Sequence, residues 1–251
     1  AGVFLQVPEE HLPETLALVA ECLKEPALDP REVEVLRRET LAALDESRDE
    51  PGARAWAWLD RHFAPYPAGA VRRPLSLEER AEAVRRLTPQ DLREFHRTFY
   101  GLSRGEVAVV GPFDPGRMKD LLVRSFGSWR AATPFRRAER PFEPVPPRRE
   151  TLVLGDKPNA VVAACAPVRI LRTSPDYPDL WVAATILGGG WLDSRLATRI
   201  RHEEGASYGV RLSLNASNLD DSGRWAFTAI TGPRNVPLVE RAFFEELRRA
   251  L

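Results

Sequence analysis

The chain has 251 residues, enough for one large domain or two modest ones with a buried core, and its 43% hydrophobic and 29% charged residues are ordinary for a globular fold. Lys and Arg number 36 and so do Asp and Glu, which removes the field expected of a nucleic-acid binder; runs such as Arg136-Arg137 and Arg148-Arg149 read as solvated linker. There is no long uncharged apolar run and no signal-peptide pattern, so no membrane segment is expected and the compartment stays open.

The first residues, Ala1 to Val7, read as a strand. Leu12 to Leu23 has apolar residues at helical spacing, Asp29-Pro30 starts a second helix running to about Arg48, and Pro51 opens a third that contains Trp56 and Trp58 and ends near Pro65. A proline-rich loop leads to a short helix at Leu77 to Leu87. Thr88 then caps Pro89 to Phe99, with proline at the first helical position. A strand at Glu106 to Val110, a turn at Gly111 to Asp114 and a helix at Pro115 to Phe126 follow. Residues 131–150, with five prolines between Pro134 and Pro147, read as a linker between packed units.

Beyond it, strands are expected at Thr151 to Leu154 and Ala160 to Ala166, a helix at Asp176 to Leu187, a glycine turn, and a helix at Ser194 to His202. Ser207 to Ala216 and Arg224 to Thr231, joined by Asp220-Asp221-Ser222-Gly223, form an antiparallel hairpin in this reading. The mixture predicts an α+β fold. Met118 is the only methionine, and the closing helix from Val236 to Leu251 stops in full stride, so a fragment of a longer chain is expected.

Few residue groups carry the spacing that chemistry requires. His11, His62, His96 and His202 are far apart, and none has a second His or a Cys at ligand spacing, which favours surface or capping histidines over a metal site. Cys22 and Cys165 sit in apolar runs and read as buried free thiols. Glu32, Glu34, Glu39, Asp45 and Glu46 share one helix with Arg37 and Arg38, the pattern of a solvated face with i,i+4 pairs. No G-x-S-x-G elbow exists, and neither cysteine has a neighbouring histidine.

The glycine turn, Gly188, Gly189 and Gly190, lacks the Lys-Ser/Thr ending of a phosphate loop and follows a helix, so it reads as a helix cap and a turn needing positive φ. Asp193 or Ser194 can cap the next helix. That helix carries Arg195, Arg199 and Arg201 on different faces, and Arg201 precedes Tyr208 by seven residues. Guanidinium and phenol both donate hydrogen bonds, a pair suited to a peptide carbonyl or to the oxyanion formed when it is attacked. Taken alone, Arg201 beside Glu203 and Glu204 reads as a surface ion pair worth under about 1 kcal/mol, and Tyr208 as a core residue with a satisfied hydroxyl.

The string L-G-G-G-x-L-D-S-R-L-A-x-R-I-R-x-E-E-G-A-S-Y-G-V, Leu187 to Val210, resembles the second homologous half of the pitrilysin/insulinase metallopeptidases. Asp156 to Ala160, Ser174 to Pro178 and Pro233 to Val236 are similar to the same half-domain, and Thr88 to Tyr100, Val107 to Asp114 and Phe126 to Trp129 to the close of the preceding one. The resemblance implies two partial domains, each a mostly antiparallel sheet with packed helices: residues 1–130, the end of a non-catalytic domain, and residues 151–251, the start of the next.

It also implies a clamshell enzyme in which an H-x-x-E-H helix and a later Glu of the opposite half hold zinc. Arg201 and Tyr208 would grip the substrate backbone and the tetrahedral intermediate. H-x-x-E-H is absent here, and the stretch from Arg38 to Pro51 offers no Glu in register as a third ligand. The expected function is the non-zinc, substrate-binding half of a zinc metalloendopeptidase, inactive alone and binding no zinc itself. Its partners would be a peptide or protein substrate, paired along an exposed sheet edge, and a zinc-bearing half in the same chain or in another subunit. The alternative is an inactive partner or structural core subunit of the same family.

Overall fold

Local chemistry starts the helices where the sequence places it. In a computed structural model, which describes residues 2–190 and 193–250, these are α1 (Leu12–Lys24), α2 (Pro30–Arg48), α3 (Pro51–His62), α4 (Leu77–Arg86), α5 (Pro89–Phe99) and α6 (Pro115–Phe126). Glu50 accepts from the first N–H groups of α3, Asp114 accepts from Arg117 N–H at 2.7 Å, and Thr88 and Asp91 close a reciprocal capping box on α5. Hydrogen bonds from the Thr88 hydroxyl and backbone hold the Asp91 carboxyl below the usual carboxylate range. Ion pairs on α2 take i,i+3 spacing, Glu34 with Arg37 and Asp45 with Arg48, in place of the expected i,i+4. No helix among the described residues is long and apolar enough to cross a membrane.

Three expected strands do not form. Residues 2–7 (Ala1 lies outside the described residues), Glu106–Val110 and Thr151–Leu154 carry no ladder. Apolar alternation specifies a face, but a strand also needs a neighbour for its N–H and C=O groups, and these segments have none among the described residues. Phe4, Val110 and Val153 are correspondingly exposed.

Two compact units divide the chain. The first takes residues up to Thr40 and Ala83–Arg137. Its core packs Leu16 and Ala20 of α1 against Met118 and Phe126 of α6, with Val109, Phe113 and Trp129 around them. His96 donates its Nε2 proton to the Leu23 carbonyl at 2.8 Å, tying α5 to the end of α1. Cys22 is exposed, contrary to expectation, because α1 buries the stripe of Leu16 and Ala20 and Cys22 stands off it.

The second unit, Leu41–Glu82 with Ala138 onward, holds the sheet. Its elements are β1 (Ala160–Val168), α7 (Tyr177–Ala184), α8 (Arg195–Ala197), β2 (Ser207–Ala216), β3 (Gly223–Thr231) and α9 (Val236–Ala250). The order is β1-β3-β2 with antiparallel neighbours, from Ala160↔Thr231 to Val168↔Gly223 and from Ser207↔Thr231 to Ala216↔Gly223. β2 is therefore an edge strand among the described residues. One face of the sheet buries Leu212, Phe227 and Ala229 against Leu196, Ile200, Val239 and Phe243; Phe227 and Phe243 stack at 4.1 Å between centroids.

Helix α3 packs on β1, where Asp60 Oδ1 accepts from Arg224 at 2.7 Å and Trp56 lies 5.7 Å from the same guanidinium. Residues 41–82 thus cluster with the sheet, and the units part after Thr40, after Glu82 and, inside the Pro-rich stretch 131–150, after Arg137.

Cys165 on β1 is half-buried, and burial pushes its thiol up to about 11, with Asp60 adding to the rise and Arg224 opposing it. Folding favours the neutral thiol. This contribution to stability is whole below the ordinary value of 9.0 and is lost as pH rises through about 11. At pH 8, iodoacetamide is expected to modify Cys22 first and Cys165 only after unfolding, as peptide mass mapping over time would show; equal rates in the folded protein would contradict this placement.

Candidate functional site

The site is built where a helix end meets the edge strand. After α7 the helix widens into a π-helical turn, Thr185–Gly189, closed by Gly190 N–H on the Thr185 carbonyl at 2.8 Å. The sequence suggested a turn needing positive φ, but none of the three glycines takes it, and Gly188 is needed for closeness. A methyl group on Gly188 would stand 2.6 Å from Leu212 Cβ and 2.8 Å from its backbone nitrogen, and Gly190 has φ −82°. Positive φ falls instead at Gly205, at +60°. Trp191 and Leu192, part of the motif, lie outside the described residues; Ser194 then caps α8 by accepting from Ala197 N–H at 3.4 Å.

Helix α8 also continues as a π-helix, Thr198–Glu203, anchored by fully buried Leu196 and Ile200. Left-handed Gly205 ends it, with Gly205 N–H on the Arg201 carbonyl and Ala206 N–H on that of Ile200. The three arginines separate by role. Arg195 bonds the buried carboxylate of Glu246 on α9 at 3.0 Å. Arg199 pairs with Glu204, Glu245 and Glu203, and the hydrogen bonds it donates to Glu204, then to Glu245, hold its guanidinium protonated above the usual arginine range. The acids that could have neutralised Arg201 are thus engaged by Arg199. Arg201 is half-buried and has no ion pair among the described residues.

Tyr208 owes its position to an irregularity of the ladder. Ser207 pairs with Thr231 and Gly209 with Ile230, leaving Tyr208 as the extra residue of a β-bulge. By simple alternation it would share the core face with Val210 and Leu212; the bulge turns it out, and it is 90% exposed. The core role suggested by its apolar neighbours does not hold. The Ser207 hydroxyl donates to the Ile230 carbonyl at 2.6 Å and that of Thr231 to the Ala206 carbonyl, satisfying groups the bulge leaves over.

Arg201 and Tyr208 line one cleft of about 380 Å³, together with Gly188, Gly189, Val210 and Arg211. Arg211 was not singled out from the sequence. Once Leu212 and Leu214 are placed in the core, strand alternation turns Arg211 to the opposite face, and that signal could have found it.

Residues 86–251 match the family described as the Peptidase M16 inactive domain. The chain belongs to that family. This M16 chain is 28% identical over 248 residues to an uncharacterized zinc protease of Mycobacterium bovis, covering 95% of the chain and 53% of the relative. It is 24% identical over 253 residues to a non-peptidase homolog of Helicobacter pylori, covering 99% and 56%. In fold it is similar to the crystal structure of a peptidase M16 inactive domain from Pseudomonas fluorescens, with a TM-score of 0.71 at 20% identity over 94% of this chain and 56% of that one. The M16 chain therefore spans about half the length of the curated relatives it matches, and its α+β architecture is the one these structures share.

The Mycobacterium bovis relative is named a zinc protease. Among the described residues of this M16 chain, no group of three or more His, Cys, Asp or Glu side chains could hold a metal ion. His62 donates to the Pro146 carbonyl at 3.0 Å and stacks on Trp58, while His96 is tied to Leu23. These residues do not fit zinc, and no reaction step is drawn through it.

Proposed function

We propose that this chain is the substrate-holding, non-zinc half of a zinc-dependent metalloendopeptidase, with residues 151–251 as the opening part of the homologous domain that carries the Arg/Tyr pair. The reading rests on one arrangement: a guanidinium without an ion pair and a phenol turned outward by a bulge line the same cleft at a sheet edge. Arg201 brings N–H donors and Tyr208 an O–H donor. Aimed at a peptide carbonyl, they hold it in place and stabilise negative charge as it develops on the oxygen. The edge of β2 supplies N–H and C=O groups that an extended peptide can pair with. The metal belongs, in this reading, to a half outside these residues, in the same chain or in a partner subunit.

A second reading is an inactive partner or structural core subunit, in which the pair serves packing. The relative named a non-peptidase homolog supports it; the exposure of Tyr208 speaks against packing as that residue's role. Amide hydrogen exchange separates the two. Saturation with an extended peptide is expected to slow exchange of the β2 amides between Tyr208 and Asn215 that do not bond β3. Unchanged exchange across a panel of sequences would remove the substrate-holding reading.

A further inference from the structure

We propose that the cleft at the β2 edge selects a carboxylate of the bound peptide and that Arg211 is the selecting residue; the inference rests on the substrate-holding reading. It comes from two arginines of the cleft that have no ion pair among the described residues. The strands, AVVAACAPV, SYGVRLSLNA and GRWAFTAIT, contain no Asp or Glu and two arginines. Arg224 is neutralised by Asp60 at 2.7 Å. Arg211 is exposed and has no ion pair among the described residues.

The acids at the end of the Thr198–Glu203 turn and those of α9 are engaged elsewhere, and Asp179 of α7 and Asp193 before α8 do not line the cleft. Glu203, Glu204 and Glu245 surround Arg199, and Glu246 bonds Arg195 and Arg249. The described residues lining the cleft are uncharged apart from Arg201 and Arg211. Two guanidiniums therefore face the position of a bound peptide with no carboxylate to answer them.

The register supplies the reach. Arg211 stands opposite Thr228, which stands opposite Ala163, so small side chains flank the long guanidinium on its face of the sheet. A peptide added beside β2 would lie about 4.8 Å from it, and a residue directly opposite Arg211 would have its Cβ about 5 Å away. A carboxylate there can take a two-pronged, charge-assisted hydrogen bond from arginine. The carboxylate can come from an Asp or Glu side chain or from the peptide's C-terminus.

Three fluorescein-labelled peptides of one extended sequence distinguish these sources when titrated by anisotropy against the 251-residue chain: one with a central Glu and an amidated end, one with Gln and an amidated end, and one with Gln and a free carboxyl end. The amidated Glu peptide, the free-acid peptide, or both are expected to bind about 3- to 10-fold more tightly than the neutral one, with an advantage that shrinks at high salt. Whichever shows it identifies the source. Arg211→Gln should abolish the advantage, while Arg248→Gln, an exposed arginine outside the cleft, should keep it. Equal binding of all three peptides, or an advantage that survives Arg211→Gln, overturns the selectivity and leaves peptide holding intact. No binding of any peptide overturns both.

Discussion

Replacing Arg201 by Ala, or Tyr208 by Phe, in the complete protein is expected to lower peptide turnover roughly 10- to 1000-fold while zinc content stays unchanged. On the roles proposed for the pair, each substitution removes hydrogen-bond donors aimed at an oxygen that gains charge as the peptide bond is attacked, so the loss should fall on kcat as well as on kcat/KM. The usual confounder, damage to the fold, is small at both positions. Tyr208 is almost wholly exposed and Phe lacks only its hydroxyl, while Arg201 has no ion pair among the described residues to break. Stability should move by less than about 0.5 kcal/mol for Tyr208→Phe. Wild-type turnover from either variant, with peptidase activity otherwise present, would withdraw the roles given to the pair.

The largest effect on stability is expected at Phe227. Its side chain is 1% exposed, lies opposite Leu212 on β2 and Ala164 on β1, and stacks on Phe243 of α9. Truncation to Ala removes contacts with two strands and a helix at once and leaves a cavity that relaxes only in part. The cost is about 3–5 kcal/mol, read as a lowered urea midpoint. Because Ile200 and Leu196 share this core, peptide binding at the cleft should weaken along with stability. A midpoint shift equivalent to less than about 1 kcal/mol would show that the sheet and α9 are not packed as described.

What could be read in advance follows the range of the forces involved. The Thr88 cap and the proline starts of α3, α5 and α6 were legible because they act over three or four residues, whereas the reciprocal bond from Asp91 was not read in advance. The hairpin from Ser207 to Thr231 was legible from alternation and its polar turn. Glu106–Val110 carries the same kind of signal yet forms no ladder among the described residues, since pairing depends on a distant edge that local pattern does not encode. Gly188 was recognised as part of a turn but for the wrong reason, because the approach of Leu212 is a tertiary fact.

Arg201 and Tyr208 stood out only through resemblance. From the residues alone, Glu203 and Glu204 looked like partners of Arg201, and only the structure shows both turned to Arg199. Taken alone, Tyr208 read as a core residue, and a single supernumerary residue in the ladder places it outside the core. Arg211 was overlooked because alternation marks it only once Leu212 and Leu214 have been placed in the core.

That supernumerary residue has a consequence for how such a protein changes over generations. Tyr208 is the one position in β2 that the ladder does not count: its neighbours keep their partners on β3 whichever side chain it bears. If Tyr208 has the role proposed for it, a lineage can exchange the phenol with little penalty in folding, so inheritance of the scaffold and inheritance of that role are separable at a single codon.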